Sequence, residues 1–263
     1  MALSDGLVGY WSPWLGSSGY QLLDRTGRGN HGTLTNMDAG TDWVGATIQG
    51  RSGYALDFDG SNDFVDIPLR DPLQSLQVPM TIGAWVYKSS GTNGAIFTQY
   101  SAVTNHRLIK LAAFSTSEFA YYASTSNGGF QRVAYSTVPS VNNWHFLTWI
   151  VQGTLTAPTC RLSADGVEQS FSLSALSTTP NVTVPLRIAC TTSTNVPSEH
   201  NQVRIAELNV WNRSLLAAEI RELYRLGPGW YQPYQRKRYA FVGGAGFKAY
   251  WAKRQSQLIG GGV

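Results

Sequence analysis

Charge is scarce in this chain: Asp, Glu, Lys and Arg make up 14% of its 263 residues, against about 25% in an average soluble domain. Low charge together with 27 glycines and many Ser, Thr and Asn residues suits exposed strands and tight turns, and suits a surface that is covered in an assembly. Cysteine is nearly absent. Cys160 and Cys190 do not make a disulfide framework; both fall in predicted strands, where buried free thiols are the expectation and one disulfide between them is the alternative. No run of 18 apolar residues occurs, so no membrane-spanning helix is expected. The amino end, MALSDGLVGYWSP, lacks a basic patch followed by an apolar run, so no secretory signal is read there. The expectation is a chain that stays where it is made, or leaves by a route needing no signal, such as release inside a virus particle when a host lyses.

Acidic residues are missing altogether from 226–263, where six basic residues stand (Arg236, Lys237, Arg238, Lys248, Lys253 and Arg254). The remainder holds 14 basic and 16 acidic residues, so the net charge of +4 conceals a body at −2 and a basic tail. The tail is also rich in glycine and aromatics, among them Trp230, Tyr231, Tyr234, Phe247 and Trp251. Disordered tails generally lack aromatics because they cannot bury enough surface to offset chain entropy. This one is too short and too glycine-rich to form a core, so it is expected to dock on its own body, on a neighbouring subunit or on a larger particle. Basic residues among aromatics also suit nucleic acid, but no nucleic-acid motif accompanies them. Neither nucleic acid nor membrane is the expected partner.

The 43% apolar content supplies a core for one large all-β unit, and the body reads as short strands divided by turn residues. In MTIGAWVY (Met80 to Tyr87), Ile82, Ala84 and Val86 share one face while Trp85 and Tyr87 take the other. Both faces are apolar, which predicts a central strand covered on each side. WHFLTWIV (Trp144 to Val151) and VRIAELNVW (Val203 to Trp211) are further apolar strands. Asp59-Gly60-Ser61-Asn62 and Ala164-Asp165-Gly166 carry the turn chemistry of hairpins. One helix is expected over LLAAEIRELYRL, capped by Ser214, with Leu216, Ile220, Leu223 and Tyr224 on one stripe and Gly227-Pro228 ending it.

Three blocks, GLVGYW…LLDRTGRGNHGTL (Gly6 to Leu34), YALDFDGSNDFVDIP (Tyr54 to Pro68) and RIAELNVWNRSLLAAEIRELY (Arg204 to Tyr224), resemble the laminin G-like jelly roll of the concanavalin A-like lectin and glucanase superfamily. The resemblance implies an all-β sandwich of two antiparallel sheets over 1–226 with a short helix after the last strand; the basic, glycine- and aromatic-rich residues 227–263 then read as an extended arm. It also implies a structural calcium, held by the Asp that heads a D-x-[ST]-G-x-G-N-H-G loop and an acidic residue on the last long strand. Here these are Asp24, Asn30 and Glu207, while Ala206 stands where the family often has a further Asp. Calcium takes six to eight oxygen ligands; alternatively Asp24 and Asn30 only bond their own turn. Asp57, Asp59, Asp63 and Asp66 read as a solvated acidic hairpin, and His31 and His145 as structural.

The glucanase branch carries its carboxylates as E-x-D-x-x-E on one strand, a pattern this chain lacks, so no enzyme is expected. Trp14, Trp43, Tyr100 and Phe130 sit in or near loops, where a ring can stack on a sugar, whereas Trp85, Trp144, Trp149 and Trp211 read as core. The expectation is a non-catalytic structural or adhesion protein on a virion surface, a bacteriophage capsid decoration or tail-associated component made in the host cytoplasm. Its arm, through Trp230, Tyr231, Tyr234, Arg236, Lys237, Arg238, Phe247 and Trp251, would hold neighbouring subunits or a capsid or tail protein. A homo-oligomer and surface glycans are the expected partners. The alternatives are a free carbohydrate-binding module and, behind it, a glycoside hydrolase.

Overall fold

The computed structural model describes residues 2–68, 70–71, 73, 79–89, 94–100, 107–113, 119–123, 130–133, 139–154, 157–172, 185–193 and 196–231. Strands come first: β1 (Leu7–Trp11), β2 (Gln21–Leu22), β3 (Gly32–Thr35), β4 (Trp43–Ile48), β5 (Arg51–Asp59) and β6 (Phe64–Ile67). The middle of the chain supplies β7 (Met80–Tyr87), β8 (Gly94–Tyr100), β9 (Arg107–Ala113), β10 (Phe119–Ala123), β11 (Phe130–Val133) and β12 (Trp144–Thr154). Then follow β13 (Ala157–Ala164), β14 (Val167–Ser172), β15 (Leu186–Ile188), β16 (Thr191–Ser193), β17 (Val196–Ser198), β18 (Gln202–Trp211) and the helix α1 (Ala217–Leu226).

These strands build the expected sandwich. The first sheet has the order β14-β13-β12-β7-β18-β5-β4, with β1 added on β18; the second has the order β11-β10-β9-β8-β15-β6-β3-β2. Strand β18 is ten residues long, and it shares one edge between two partners. Gln202 to Ile205 pair with β5, and Leu208 to Trp211 pair with β1. A register shift between Ile205 and Glu207 turns the strand, as bulges do. Leu208 and Val210 therefore face the core between the sheets, while Trp211 faces the outside of the first sheet.

The main core lies between the sheets, where Ile82, Ala84 and Val86 of β7 meet Val65 and Ile67 of β6 and Leu186 and Ile188 of β15. A second cluster covers the outer face of the first sheet: Trp85, Trp211, Phe146 and Tyr10 pack under Ile220 and Leu223 of α1. The two-sided apolar pattern of Met80–Tyr87 thus places β7 at the centre of its sheet, between β12 and β18. Each large side chain removed from water here contributes roughly 1.5–3 kcal/mol. Gly32 is fixed by packing, since a Cβ there would stand 2.4 Å from Val65 Cγ1.

Asp165-Gly166 makes the expected hairpin: Ala164 pairs with Val167, and both loop residues have positive φ, 54° and 81°, as a type I′ turn requires. Asp59–Asn62 does not. Strand β5 lies between β18 and β4 in the first sheet, and β6 lies between β15 and β3 in the second, so this turn carries the chain from one sheet to the other. Its chemistry reverses the chain, with Asp59 Oδ1 accepting from the Ser61 and Asn62 amides, but turn chemistry does not select a pairing partner.

The helix also starts differently. Ser214 does not cap it; Leu216 is the cap residue, its N–H donated to Glu219 Oε2 at 2.8 Å, and Leu216 is 66% exposed instead of joining the buried stripe. Leu215 is buried in its place, and Gly227 ends the helix at φ 72° with its N–H on Leu223 and Tyr224 carbonyls. Both cysteines are buried and free, and burial pushes each thiol up to about 12. Among the described residues no helix is long and apolar enough to cross a membrane. One compact unit runs from Met1 to Gln232.

Candidate functional site

The turn that begins at Asp24 is stitched by its own carboxylate. Asp24 Oδ1 accepts from the Thr26 amide at 2.9 Å and Thr26 Oγ1 at 2.7 Å, and Oδ2 accepts from the Asn30 amide at 3.2 Å. The Asn30 carbonyl in turn accepts from Trp11 Nε1 at 2.8 Å. Its side-chain amide is fully buried and has no hydrogen-bond partner among the described residues.

Glu207 sits elsewhere, under the segment that follows α1. It is fully buried and accepts from Tyr10 Oη at 2.7 Å, Asn209 Nδ2 at 3.0 Å and the Gly229 amide at 2.5 Å. Burial, the largest influence, pushes its carboxyl from 4.5 to about 7, against these hydrogen bonds, which favour the carboxylate. Tyr10 lies between the two groups, its amide toward Asp24 and its hydroxyl on Glu207. The structure thus brings Asp24 and Asn30 into one turn and puts Glu207 beneath the C-terminal segment. Donors already occupy the oxygens of both carboxylates, so these three side chains, as placed, do not fit one cation. No group of three His, Cys, Asp or Glu side chains suited to a metal occurs among the described residues.

Two of the arm residues pack on the chain's own sandwich. Trp230 stacks on Trp211 at 6.1 Å between ring centroids and donates Nε1 to Asn209 Oδ1 at 3.3 Å. Tyr231 and Trp230 both meet Tyr10 edge-on, at 5.2 and 5.8 Å. Residues 227–231 form a strap over the outer face of the first sheet. Tyr234, Arg236, Lys237, Arg238, Phe247 and Trp251 lie outside the described residues.

The aromatic candidates divide in the same way. Trp14 is half-buried against the outer cluster, and Trp43 is buried with Nε1 on the Gly19 carbonyl at 3.0 Å. The side chains of Tyr100 and Phe130 lie outside the described residues. The four aspartates of the second block are given separate tasks. Asp57 pairs with Arg204 at 2.8 Å and Asp66 with Arg187 at 2.7 Å, Asp59 holds its turn, and Asp63 is buried. His145 pairs with Asp165 at 2.6 Å.

An open cleft of about 580 Å³ lies on the outer face of the second sheet, lined by Gln21, Gly29, His31, Thr33, Asp66, Ile67, Pro68, Arg70 and Pro185. It is built by register. Gln21 of β2 stands opposite Thr33 of β3, Thr33 opposite Asp66 of β6, and Asp66 opposite Arg187 of β15. The intervening residues, Leu22, Leu34, Val65, Ile67, Leu186 and Ile188, point into the core. Strand alternation therefore sorts apolar from polar, and cross-strand neighbours about 4.5–5.5 Å apart form one polar row.

The Asp24 turn supplies the adjoining wall. His31 Nδ1 accepts the Asp24 amide at 3.0 Å, which leaves the ring proton on Nε2. Gly29 lies against Arg70, whose Nη1 would be 3.7 Å from a Cβ built there. Sequence reasoning read His31 as structural, as its bond to Asp24 is, and passed over Gln21, Thr33 and Arg70. The available signal was the polar alternate residue in each of the second-sheet strands. Which strands lie side by side was not in that signal.

Residues 36–221 match the family model Laminin_G_3, described as the concanavalin A-like lectin/glucanases superfamily. No curated protein matches the chain. Among solved structures, the binding domain of Paraclostridial Mosquitocidal Protein 1 is similar at TM-score 0.61 and 15% identity, over 85% of this chain and 52% of that one. The Trypanosoma rangeli sialidase in complex with sialic acid is similar at 0.58 and 15%, over 84% of this chain and 33% of that one. The binding domain of Botulinum Neurotoxin DC in complex with SialylT gives 0.58 and 11%, over 85% and 52%. This chain spans a third to about half of those chains, and at such identity the likeness is one of fold.

Proposed function

We propose that this chain, which belongs to the concanavalin A-like lectin/glucanase superfamily, is a non-catalytic glycan-binding module displayed on a larger assembly. The observation that carries the binding reading is the cleft on the second sheet, where Gln21, Thr33, Asp66, His31 and Arg70 converge beside Pro68 and Pro185. A few placed polar groups beside an apolar wall, in a volume between about 300 and 1,000 Å³, are what a small-ligand site needs. A sugar presents the matching surface, hydroxyls at its rim and C–H groups on its face. Similar folds occur in a sialidase in complex with sialic acid and in a toxin binding domain in complex with SialylT, which supports a glycan as ligand.

Binding is preferred over hydrolysis because the cleft lining includes one carboxylate, Asp66, which Arg187 holds at 2.7 Å. Hydrolysis with retention uses two, about 5–5.5 Å apart. The direct test is a glycan array probed with the full chain, repeated with Thr33→Trp, which fills the cleft from an exposed position. Saturable binding that Thr33→Trp abolishes supports the proposal; binding that the variant leaves intact removes the cleft from it.

The assembly part of the proposal is a virion surface, with the module as a bacteriophage capsid decoration or tail-associated component. It rests on the tail's composition, six basic residues, none acidic, and aromatics among them. Display in many copies would raise weak single-site binding by multivalency. Light scattering on the full chain and on a version ending at Gln232, which keeps the strap, tests it. A full chain that oligomerises beside a monomeric truncation supports the arm as an assembly device. Two monomers would instead favour a free carbohydrate-binding module, a reading that the packing of Trp230 and Tyr231 on their own sandwich supports.

A further inference from the structure

We propose that the second-sheet cleft selects an acidic sugar, a ring carrying one oxyanion, with Arg70 and His31 Nε2 taking the anion and Asp66, Thr33 and Gln21 taking the hydroxyls. This rests on the glycan-binding reading and narrows its ligand.

Charge in the cleft is unevenly committed. Asp66 Oδ1 is taken by Arg187 Nε at 2.7 Å, and the Arg187 guanidinium also lies 5.7 Å from the Phe64 ring centroid. That pair neutralises the carboxylate of the lining and fixes it in place. Arg70 is exposed, lines the same cleft and has no ion-pair partner among the described residues. The charge left over in the cleft is therefore the positive charge of Arg70.

Its guanidinium presents a planar fork of donors that fits an oxyanion with two parallel hydrogen bonds. The second donor is set by the Asp24 turn. Because His31 Nδ1 accepts the Asp24 amide at 3.0 Å, Nε2 carries the hydrogen and donates. Gly29 lies beside the guanidinium, with Arg70 Nη1 at an ordinary contact distance of 3.7 Å from a Cβ built there. The turn thus acts through the cleft wall it builds.

The other lining groups suit hydroxyls. Asp66 keeps Oδ2 without a partner among the described residues, and Thr33 and Gln21 are exposed on the same cross-strand row. Pro68 and Pro185 offer an apolar surface for the C–H face of a ring. With the Asp66 charge matched by Arg187, Arg70 is the one unmatched charge of the lining among the described residues, which suits a single oxyanion and not a polyanion such as a nucleoside triphosphate. One oxyanion with several hydroxyls is the chemistry that uses every group.

Titration calorimetry on the full chain tests this, with glucuronic acid, N-acetylneuraminic acid, galactose 6-sulfate, glucose and galactose as probes. The three acids separate a uronate, a sialate and a sulfate as source of the oxyanion. At least one acid should bind tenfold or more tightly than the neutral sugars. That advantage should shrink several-fold on going from low to high salt, since an exposed charge is screened. Arg70→Gln should erase it, bringing the affinity for the acid down to that for the neutral sugars measured on the same variant, while Arg70→Lys keeps part of it. Equal affinity for acids and neutral sugars, both abolished by Thr33→Trp, would overturn the acidic selectivity while leaving the glycan site. An acid advantage that survives Arg70→Gln would overturn it as well. No saturable binding by any probe would overturn both this inference and the glycan reading.

Discussion

The two sheets treat their outer faces in opposite ways. On the first sheet the outer face is sealed: Trp85, Trp211 and Phe146 lie under α1 and the strap of residues 227–231, and even a carboxyl, that of Glu207, is taken inside. On the second sheet the outer face at β2, β3 and β6 stays open and polar, with Thr33 and Gln21 exposed and Asp66 half-buried. One architecture thus yields a closed face that stabilises and an open face free to bind. Residues that matter for stability and residues that matter for binding are accordingly expected to be different residues.

The largest effect should come from the sealed face. Trp211 is fully buried, donates Nε1 to the Leu3 carbonyl at 2.8 Å and stacks on Trp230. Trp211→Ala is expected to cost about 3–5 kcal/mol, read as a fall in urea midpoint. A loss below about 1 kcal/mol would mean that the strap and helix do not seal this face.

Glu207 gives the next effect and a direction in pH. Burial raises its folded pKa from 4.5 to about 7, so between those values the folded chain holds a proton that the unfolded chain has released. Stability from this group is therefore greatest below about 4.5 and falls as pH rises toward 7, by about 3 kcal/mol in all. Glu219, by contrast, is lowered by Arg213, and its stabilisation is lost only as pH falls below the ordinary carboxylate range. Chemical denaturation at several pH values should show a decline from pH 5 to 7 that Glu207→Gln flattens. A variant with the same slope as the wild type would assign the decline to another group.

Smaller again is Trp230→Ala, at about 2 kcal/mol, since the ring is half-buried and the full cost of a buried tryptophan is about 3–5 kcal/mol. No change in stability would mean that the strap rests on the sandwich without securing it. Smallest is Arg70→Gln on the open face, expected within about 0.5 kcal/mol of the wild type. A large loss there would make Arg70 a structural residue and blur the division between the faces.

How much of this was legible in the sequence differs between the faces. Met80–Tyr87 announced a strand covered on both sides because its two faces are both apolar, and Asp165-Gly166 announced its hairpin because positive φ at both positions favours those residues. Local physics sufficed in both cases. It did not suffice for Asp59–Asn62, where the turn was legible but the crossing between sheets was not. Nor did it suffice at the helix start, where Glu219 reaching back to Leu216 replaced Ser214 as the cap.

The candidate site was the least legible part. Thr33, Asp66 and Arg70 come together through non-local register, which periodicity does not report. The Asp24–His31 turn was visible as a motif. What the motif positions became visible only once β2, β3 and β6 were side by side, and the cleft appeared along its flank. Glu207, grouped with that turn by resemblance, belongs to the sealed face, where the amide of Gly229 and the hydroxyl of Tyr10 hold it.

The most direct test is a nuclear magnetic resonance titration of the full chain with the best-binding glycan from an array. The account predicts saturable shifts confined to Gln21, His31, Thr33, Asp66 and Arg70 and their strand neighbours, with the amides of Trp85, Trp211 and Trp230 unmoved. Shifts centred on the strap and the first sheet, with the cleft silent, would contradict it.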